Sequence, residues 1–262
     1  MPTKTIGCLL RYLSITDRSG HPLNSGNFNF FIFAANRQYM LRSAAQFTSF
    51  IFHPLLVVTY MLILLLFVNP YLFGVSNIGE QPSKLLILQV FLSTFFIPAF
   101  AVAMLRFTGL IKSLEMHTRQ ERIGPYIITG IFYLWMFKNF HSNAQIPTAF
   151  TCFMLGATIG LFIAFFINIF SKISIHAVGM GGLLGMVVIT MVLFSYDTFT
   201  INSTIVGTIE INMSTILFST ILLAGIVGTA RLLLEAHEPL DLYGGYLVGF
   251  LAQFIALRFL FY

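Results

Sequence analysis

The chain has 262 residues, of which 57% are hydrophobic and only 9% charged, with a mean hydropathy of +0.88. A composition so apolar excludes a soluble globular domain and points to a polytopic membrane protein, all-α in class. The net charge of +5 is scattered between apolar runs and gives no nucleic-acid signal, and the two cysteines, Cys8 and Cys152, offer neither a disulfide framework nor metal-ligand spacing.

In chain order, residues 1–40 read as an N-terminal extension, flexible or lying at the membrane surface. Arg11, Asp17, Arg18, Gly20 and Pro22 interrupt it, and its one apolar stretch, residues 28–35, is short and has no basic region just before it, so a cleaved signal peptide is not expected. Met40 is a second candidate start of translation, because the membrane pattern begins there; a native peptide from residues 1–39 in mass spectrometry would exclude it. Residues 41–262 read as one transmembrane helical domain.

Seven apolar runs follow, each near the length needed to cross roughly 30 Å of hydrocarbon. They cover about residues 50–73, 85–111, 123–140, 147–170, 173–194, 213–234 and 240–261. Pro98 is expected to kink the second. The run lengths and the lack of sustained period-two alternation argue against a closed β-barrel. The fifth run is dense in small residues (Ala177, Gly179, Gly181, Gly182, Gly185). The sixth carries Gly225 and Gly228, and the seventh Gly244, Gly245 and Gly249. Small residues let helix backbones approach closely in lipid, so these three helices are expected to form a tight core.

With seven crossings, the connections after runs two, four and six share one face with the N-terminus. Three polar segments lie there. The first, residues 112–125, holds Lys112, Arg119, Arg122 and Pro125. The second holds Ser174 and His176. The third is the Arg231 to Gly249 stretch, with Arg231, His237, Pro239 and Asp241. Ionisable groups at a bilayer edge are costly and therefore functional candidates. A guanidinium suits phosphate oxygens, an imidazole can attack phosphorus, and a carboxylate can hold that imidazole. Pro239 fits the first turn of a new helix, which would place His237 just before an anion-favouring helix N-terminus. The plainer readings are a charged loop rim, a positive-inside loop, a solvent-exposed loop histidine for His117 and an interfacial histidine for His176, with Glu115 and Glu121 pairing with the nearby cations. Lys and Arg are denser on the motif side, which leans that face towards the cytoplasm; sidedness stays open because several of those cations suit phosphate.

The pattern Arg231-x5-His237-x-Pro239-x-Asp241 followed by small residues resembles the last signature of the type 2 phosphatidic acid phosphatase superfamily, with Ala230 where that signature has serine. Lys112 and Arg119 match the spacing of the family's first signature, with Gln120 where proline is usual; Arg122 with Pro125 is the alternative. Ser174 and His176 match its middle signature, with Ile173 and Ile175 in place of proline and glycine. The resemblance covers about residues 112–249, and an extra apparent hairpin of spans lies between the first two signatures.

It implies a helical bundle core and a phosphatase that needs no metal or other cofactor. Its substrate would be a lipid phosphate or diphosphate, in the bacterial inner membrane. It further implies that His237 is the nucleophile, Asp241 its orienter and His176 the general acid and base. Arg231, Lys112, Arg119 or Arg122, and Ser174 would hold the phosphate. Two other readings stand beside it: a phosphotransferase that passes the phosphoryl group to another acceptor, and a non-catalytic binder of anionic lipid headgroups. A transporter is disfavoured by the scarcity of ionisable groups at mid-membrane.

Overall fold

The computed structural model describes residues 25–113, 116, 118–203 and 207–261, without the side chains of residues 25–35, 202 and 203. Residues 1–24 lie outside the described residues, as do Glu115 and His117. The chain divides into two units at Ala44/Ala45. In the first, residues 25–44 open helix α1 (Ser25–Ile51). Within residues 1–40, which the sequence reads as an extension that is flexible or lies at the membrane surface, the backbone is helical from Ser25. The second unit holds the end of α1, then α2 (Pro54–Val68), α3 (Gln81–Phe107), α4 (Arg119–His141), α5 (Thr148–Phe170) and α6 (Ile175–Phe194). A hairpin of β1 (Thr198–Ser203) and β2 (Gly207–Asn212) follows, and α7 (Met213–Leu233) and α8 (Pro239–Phe261) complete it.

Among the described residues, five helices are long and apolar enough to cross a membrane: α3, α5, α6, α7 and α8. A sixth crossing is added if Asn36–Ile51 and Pro54–Val68 form one broken span. Two of the seven expected runs thus differ. The first is broken at Phe52–His53, because the residue before a proline is pushed out of the helical region. Helix α2 restarts with His53 as N-cap and Pro54 in its first turn. It has 15 residues, about 22 Å of helix, and a 3-10 turn over Pro70–Phe73 follows it. The third run is helical in α4, but Arg119, Glu121, Arg122 and Lys138 fall within that helix, and α4 is not among the five. The hairpin is a further departure from an all-helical reading; it pairs Thr198 with Asn212 through to Ser203 with Gly207 in antiparallel register.

Pro98 does not break the second span. The helix widens into a π turn over Leu92–Phe96 just before the proline, and the Thr94 hydroxyl donates to the Val90 carbonyl at 2.8 Å. Such a turn absorbs the i−4 carbonyl that proline leaves without a donor.

The helix pair that positions the site is α6 and α8, and small residues set how close they come. A Cβ on Gly249 would overlap the Val178 carbonyl oxygen and lie 2.7 Å from the Gly182 nitrogen. A Cβ on Gly245 would lie 2.7 Å from Ala177 Cβ and 2.8 Å from the Ser174 oxygen, and one on Gly181 would overlap the Tyr246 backbone. These matched contacts run in the same sense along both helices, so α6 and α8 are parallel and their N-termini are level. On α5, Gly156 and Gly160 make room for Gln253 and Ala252. Gly228 on α7 seats the Tyr246 ring, whose hydroxyl donates to the Ala224 carbonyl at 2.6 Å. Gly225 and Gly244 face open space; α8 packs closely on α6 and α5, and α7 packs on α6 and reaches α8 through Tyr246.

One end of the bundle gathers the C-termini of α3, α5 and α7 and the N-termini of α2, α4, α6 and α8. Contacts of Glu121 with Lys112, Arg119 with Phe170, Ser174 with Asp241, and His53 with His176 fix this arrangement. At the other end the Asn69 side chain donates to the Phe194 carbonyl at 3.1 Å, and Val68, Phe199 and Met213 form a small separate core beneath the hairpin.

Candidate functional site

Helix α7 stops with the Glu235 N–H bonded to the Leu232 carbonyl (2.9 Å) and the Ala236 N–H to the Arg231 carbonyl (3.2 Å). Glu235 sits at φ +53, the left-handed place that glycine usually takes in this cap. The chain then reverses through His237 and Glu238, and Pro239 opens α8 as the sequence predicts. Asp241, in the first turn, accepts from His237 Nδ1 at 3.2 Å and from the Glu238 N–H at 3.3 Å. The imidazole and carboxylate side chains are 5% and 13% exposed. A carboxylate accepts only, so Nδ1 carries the proton and Nε2 keeps its lone pair for other chemistry.

Helix α6 brings the second segment. Ser174 is its buried N-cap, accepting from the Ala177 N–H at 3.4 Å, and its own N–H donates to the Asp241 carbonyl at 3.2 Å. The Ser174 oxygen is thus engaged as a cap and its O–H remains a donor. Two residues on, His176 Nε2 donates to the Ser49 carbonyl at 3.1 Å, which leaves Nδ1 with the lone pair. His176 lies within electrostatic reach of both Arg231 and His237.

Arg231 closes the cluster from the last turn of α7. One of its terminal nitrogens donates to the Ser49 hydroxyl at 3.4 Å, and its buried Nε–H has no hydrogen-bond partner. A buried N–H without an acceptor costs free energy, so this guanidinium is poised for an anionic oxygen. Among the described residues, no group of three or more His, Cys, Asp or Glu is placed to hold a metal ion.

The structure separates the two arginines that the sequence leaves as alternatives. Arg122 is within electrostatic reach of both Arg231 and His237, and its Nε donates to the Met116 carbonyl at 3.1 Å. Arg119 is exposed and donates to the Phe170 carbonyl at 2.7 Å, where it lines a polar surface hollow with Thr118 and Lys172. Lys112 is exposed, with its backbone N–H on Glu121 Oε1 at 3.0 Å. Among the described residues no contact joins Arg119 or Lys112 to the histidines, so the structure does not bring these two predicted phosphate ligands into the cluster. The Thr118–Glu121 capping box fixes the start of α4, leaving Arg119 in the first residue of the helix and Arg122 one turn further in.

Burial pushes His237 down from 6.5 to about 4, and the charges of Arg231 and Arg122 add to this while Asp241 opposes it. The sign follows: the folded state holds the ring neutral, a contribution fully present above pH 6.5 and lost as pH falls towards 4. Relative to His237→Gln, the wild-type protein is expected to lose thermal stability between pH 6.5 and pH 4. Parallel unfolding curves in detergent would check this; a constant difference across that range would refute the burial of a neutral ring.

An apolar cleft of about 60 Å³ adjoins the cluster. Pro54 and Ile175, the chain neighbours of His53 and His176, line it together with Gly249 and Gln253. Gln253 is twelve residues beyond Asp241 on α8, about 18 Å along the axis.

Two residues of this end of the bundle carry no motif. Ser49 contacts both His176 and Arg231. His53 packs edge-on against the His176 ring with centroids 5.7 Å apart. The proline after His53 is the one local hint of a break there. Comparison of the chain with protein-family models, with curated proteins and with solved structures finds no match. The fold and the cluster therefore define the chain as a helical protein with membrane-crossing helices and a cationic, histidine-containing end.

Proposed function

We propose that the chain is a membrane lipid phosphatase, a divergent relative of the type 2 phosphatidic acid phosphatases with seven crossings, acting on a lipid phosphate or diphosphate in a bacterial inner membrane. The observation that carries this reading is the buried Arg231 N–H without a partner, set beside His176 and the Asp241-held His237.

In the first step His237 Nε2 gives its lone pair to phosphorus while the bond from phosphorus to the lipid oxygen breaks, and His176 supplies the proton that oxygen takes up. The bound dianion favours the protonated form of His176 needed for this, with Nε2–H kept on the Ser49 carbonyl and the transferable proton on Nδ1. In the second step Nδ1 removes a proton from water, the hydroxide attacks phosphorus, and the P–N bond breaks to release inorganic phosphate and restore the lone pair on Nε2. Arg231 and Arg122 offset charge on the equatorial oxygens. The level N-termini of α6 and α8 direct their positive ends the same way. The apolar cleft suits the first part of a hydrocarbon tail, which would enter sideways between helices.

Phosphate release from a panel of phosphatidic acid, phosphatidylglycerol phosphate, undecaprenyl diphosphate and phosphorylated lipid A tests the proposal. Release that is inhibited by vanadate and unaffected by EDTA is expected. Release abolished by EDTA would overturn the metal-free mechanism. Release only in the presence of a lipid or sugar acceptor would make the protein a phosphotransferase, and binding of anionic lipid with no release would make it a headgroup binder.

A further inference from the structure

Helix α1 ends and α2 begins with a tight elbow, and the last four carbonyls of α1 all have partners. The Thr48 carbonyl accepts from the Phe52 N–H at 2.9 Å and the Phe50 carbonyl from the His53 N–H at 3.3 Å. The Ile51 carbonyl takes the Tyr60 hydroxyl at 2.6 Å. These are among the carbonyls that a helix C-terminus leaves over, and three of the four are satisfied within the elbow or by α2. The fourth, on Ser49, is given to His176, 127 positions away. The same residue's hydroxyl accepts from Arg231, 182 positions away. Ser49 is 7% exposed, so both bonds are made away from bulk water. Edge-on to the His176 ring lies His53, whose Nδ1 accepts from the Leu55 N–H at 3.4 Å and whose ring lies 6.2 Å from that of Phe95.

We propose that Ser49 is a positioning residue of the anion site: its carbonyl fixes which nitrogen of His176 carries the proton, its hydroxyl aims the Arg231 guanidinium, and the elbow running to His53 is a fourth segment of the site. For the chemistry that it serves, this rests on the phosphatase reading; for anion binding it does not. A helix end that happened to touch two neighbours would use whichever groups were nearest. Here one residue supplies an acceptor to each of two side chains from different helices, an imidazole and a guanidinium, and both acceptors leave the opposite edges of those side chains free. Nδ1 of His176 and Nε of Arg231 are the atoms so released. Neither the hydroxyl nor the carbonyl need touch the substrate.

The test uses the full-length protein in detergent, with orthovanadate as a phosphate-shaped probe read by its protection against thermal unfolding. Ser49→Ala is expected to raise the half-protecting vanadate concentration by about tenfold, the effect of one hydrogen bond to a charged group. Ser49→Thr is expected to restore it to within about twofold. In an Arg231→Lys background, Ser49→Ala is expected to add less than about twofold, because the serine acts through the guanidinium. Unfolding midpoints without vanadate report whether each variant is folded. Unchanged protection in Ser49→Ala, no recovery in Ser49→Thr, or an undiminished effect in the Arg231→Lys background would each overturn the proposal, as would a wild-type protein that vanadate does not protect. Vanadate protection without phosphate release from any lipid would sink the phosphatase reading and leave this one standing.

Discussion

Replacing His237 by alanine is expected to lower phosphate release by about 10⁴-fold or more, the scale on which removing the nucleophile from a covalent mechanism acts. The argument starts from geometry. His237 Nδ1 and the Glu238 N–H both donate to one carboxylate oxygen of Asp241, so Nδ1 of His237 is committed and only Nε2 is left to react. The ring is neutral in the folded protein, which keeps that lone pair available well below neutral pH. The variant should bind vanadate less tightly but fold as the wild type does, because the ring lies outside the helical core and its removal leaves a small polar space at the bundle end. Incubation with a ³²P-labelled lipid phosphate followed by alkaline quenching should give an acid-labile label on the wild type and none on the variant. Equal release by the two proteins would exclude His237 as nucleophile.

The second large effect is on the scaffold. Gly249→Val is expected to destabilise the protein by about 3 kcal/mol or more, the upper end of overpacking effects. The new Cβ would meet the Val178 carbonyl and the Gly182 nitrogen, both backbone atoms of α6 that no rotamer change can move. The helices would have to separate. Because Ser174 donates to the Asp241 carbonyl across the same interface, separation would also pull His176 from His237. Loss of stability and loss of vanadate protection should therefore appear together. Gly225→Ala is the control: nothing lies within 4 Å of its Cβ, and alanine is the better helix former, so its unfolding midpoint should be unchanged or slightly higher. Equal behaviour of the two variants in thermal unfolding would refute the close helix contact.

The parts of the site readable from sequence are the local ones. His237 and Asp241 are four positions apart with a proline between them, and Arg231 precedes them by one helix end, so spacing alone sets their neighbourhood. The glycines of α6, α7 and α8 were readable for the same reason, since small residues four apart line one helix face; which of them face a partner was not, and Gly225 and Gly244 do not. Ser49 and His53 were invisible because their partners lie more than a hundred residues away and no short pattern encodes that distance. The choice between Arg119 and Arg122 turned on helical phase. Thr118-x-x-Glu121 is a capping-box pattern, and taking it into account would have set the start of α4 and put Arg122 one turn inside. Hydropathy located the helices, but it gave no sign of the break that Pro54 makes in the first run or of the polar first turn of α4, which set these two apart from the five long apolar helices. The hairpin carries its own signal, Thr alternating with Phe199 and Ile201 on one strand and Ile with polar residues on the other, too short to stand out beside twenty-residue apolar runs.

The π turn at Leu92–Phe96 has a consequence for how this span tolerates change in length. A π turn holds one residue more than the α-helical path it replaces. Deleting a single residue there would return the stretch to ordinary helix while both flanking segments kept their facing, whereas the same deletion elsewhere in α3 would rotate half of the span by about 100°. The wide turn is thus a built-in allowance for insertion and deletion in a segment where, by the usual logic of packed helices, chain length should be fixed.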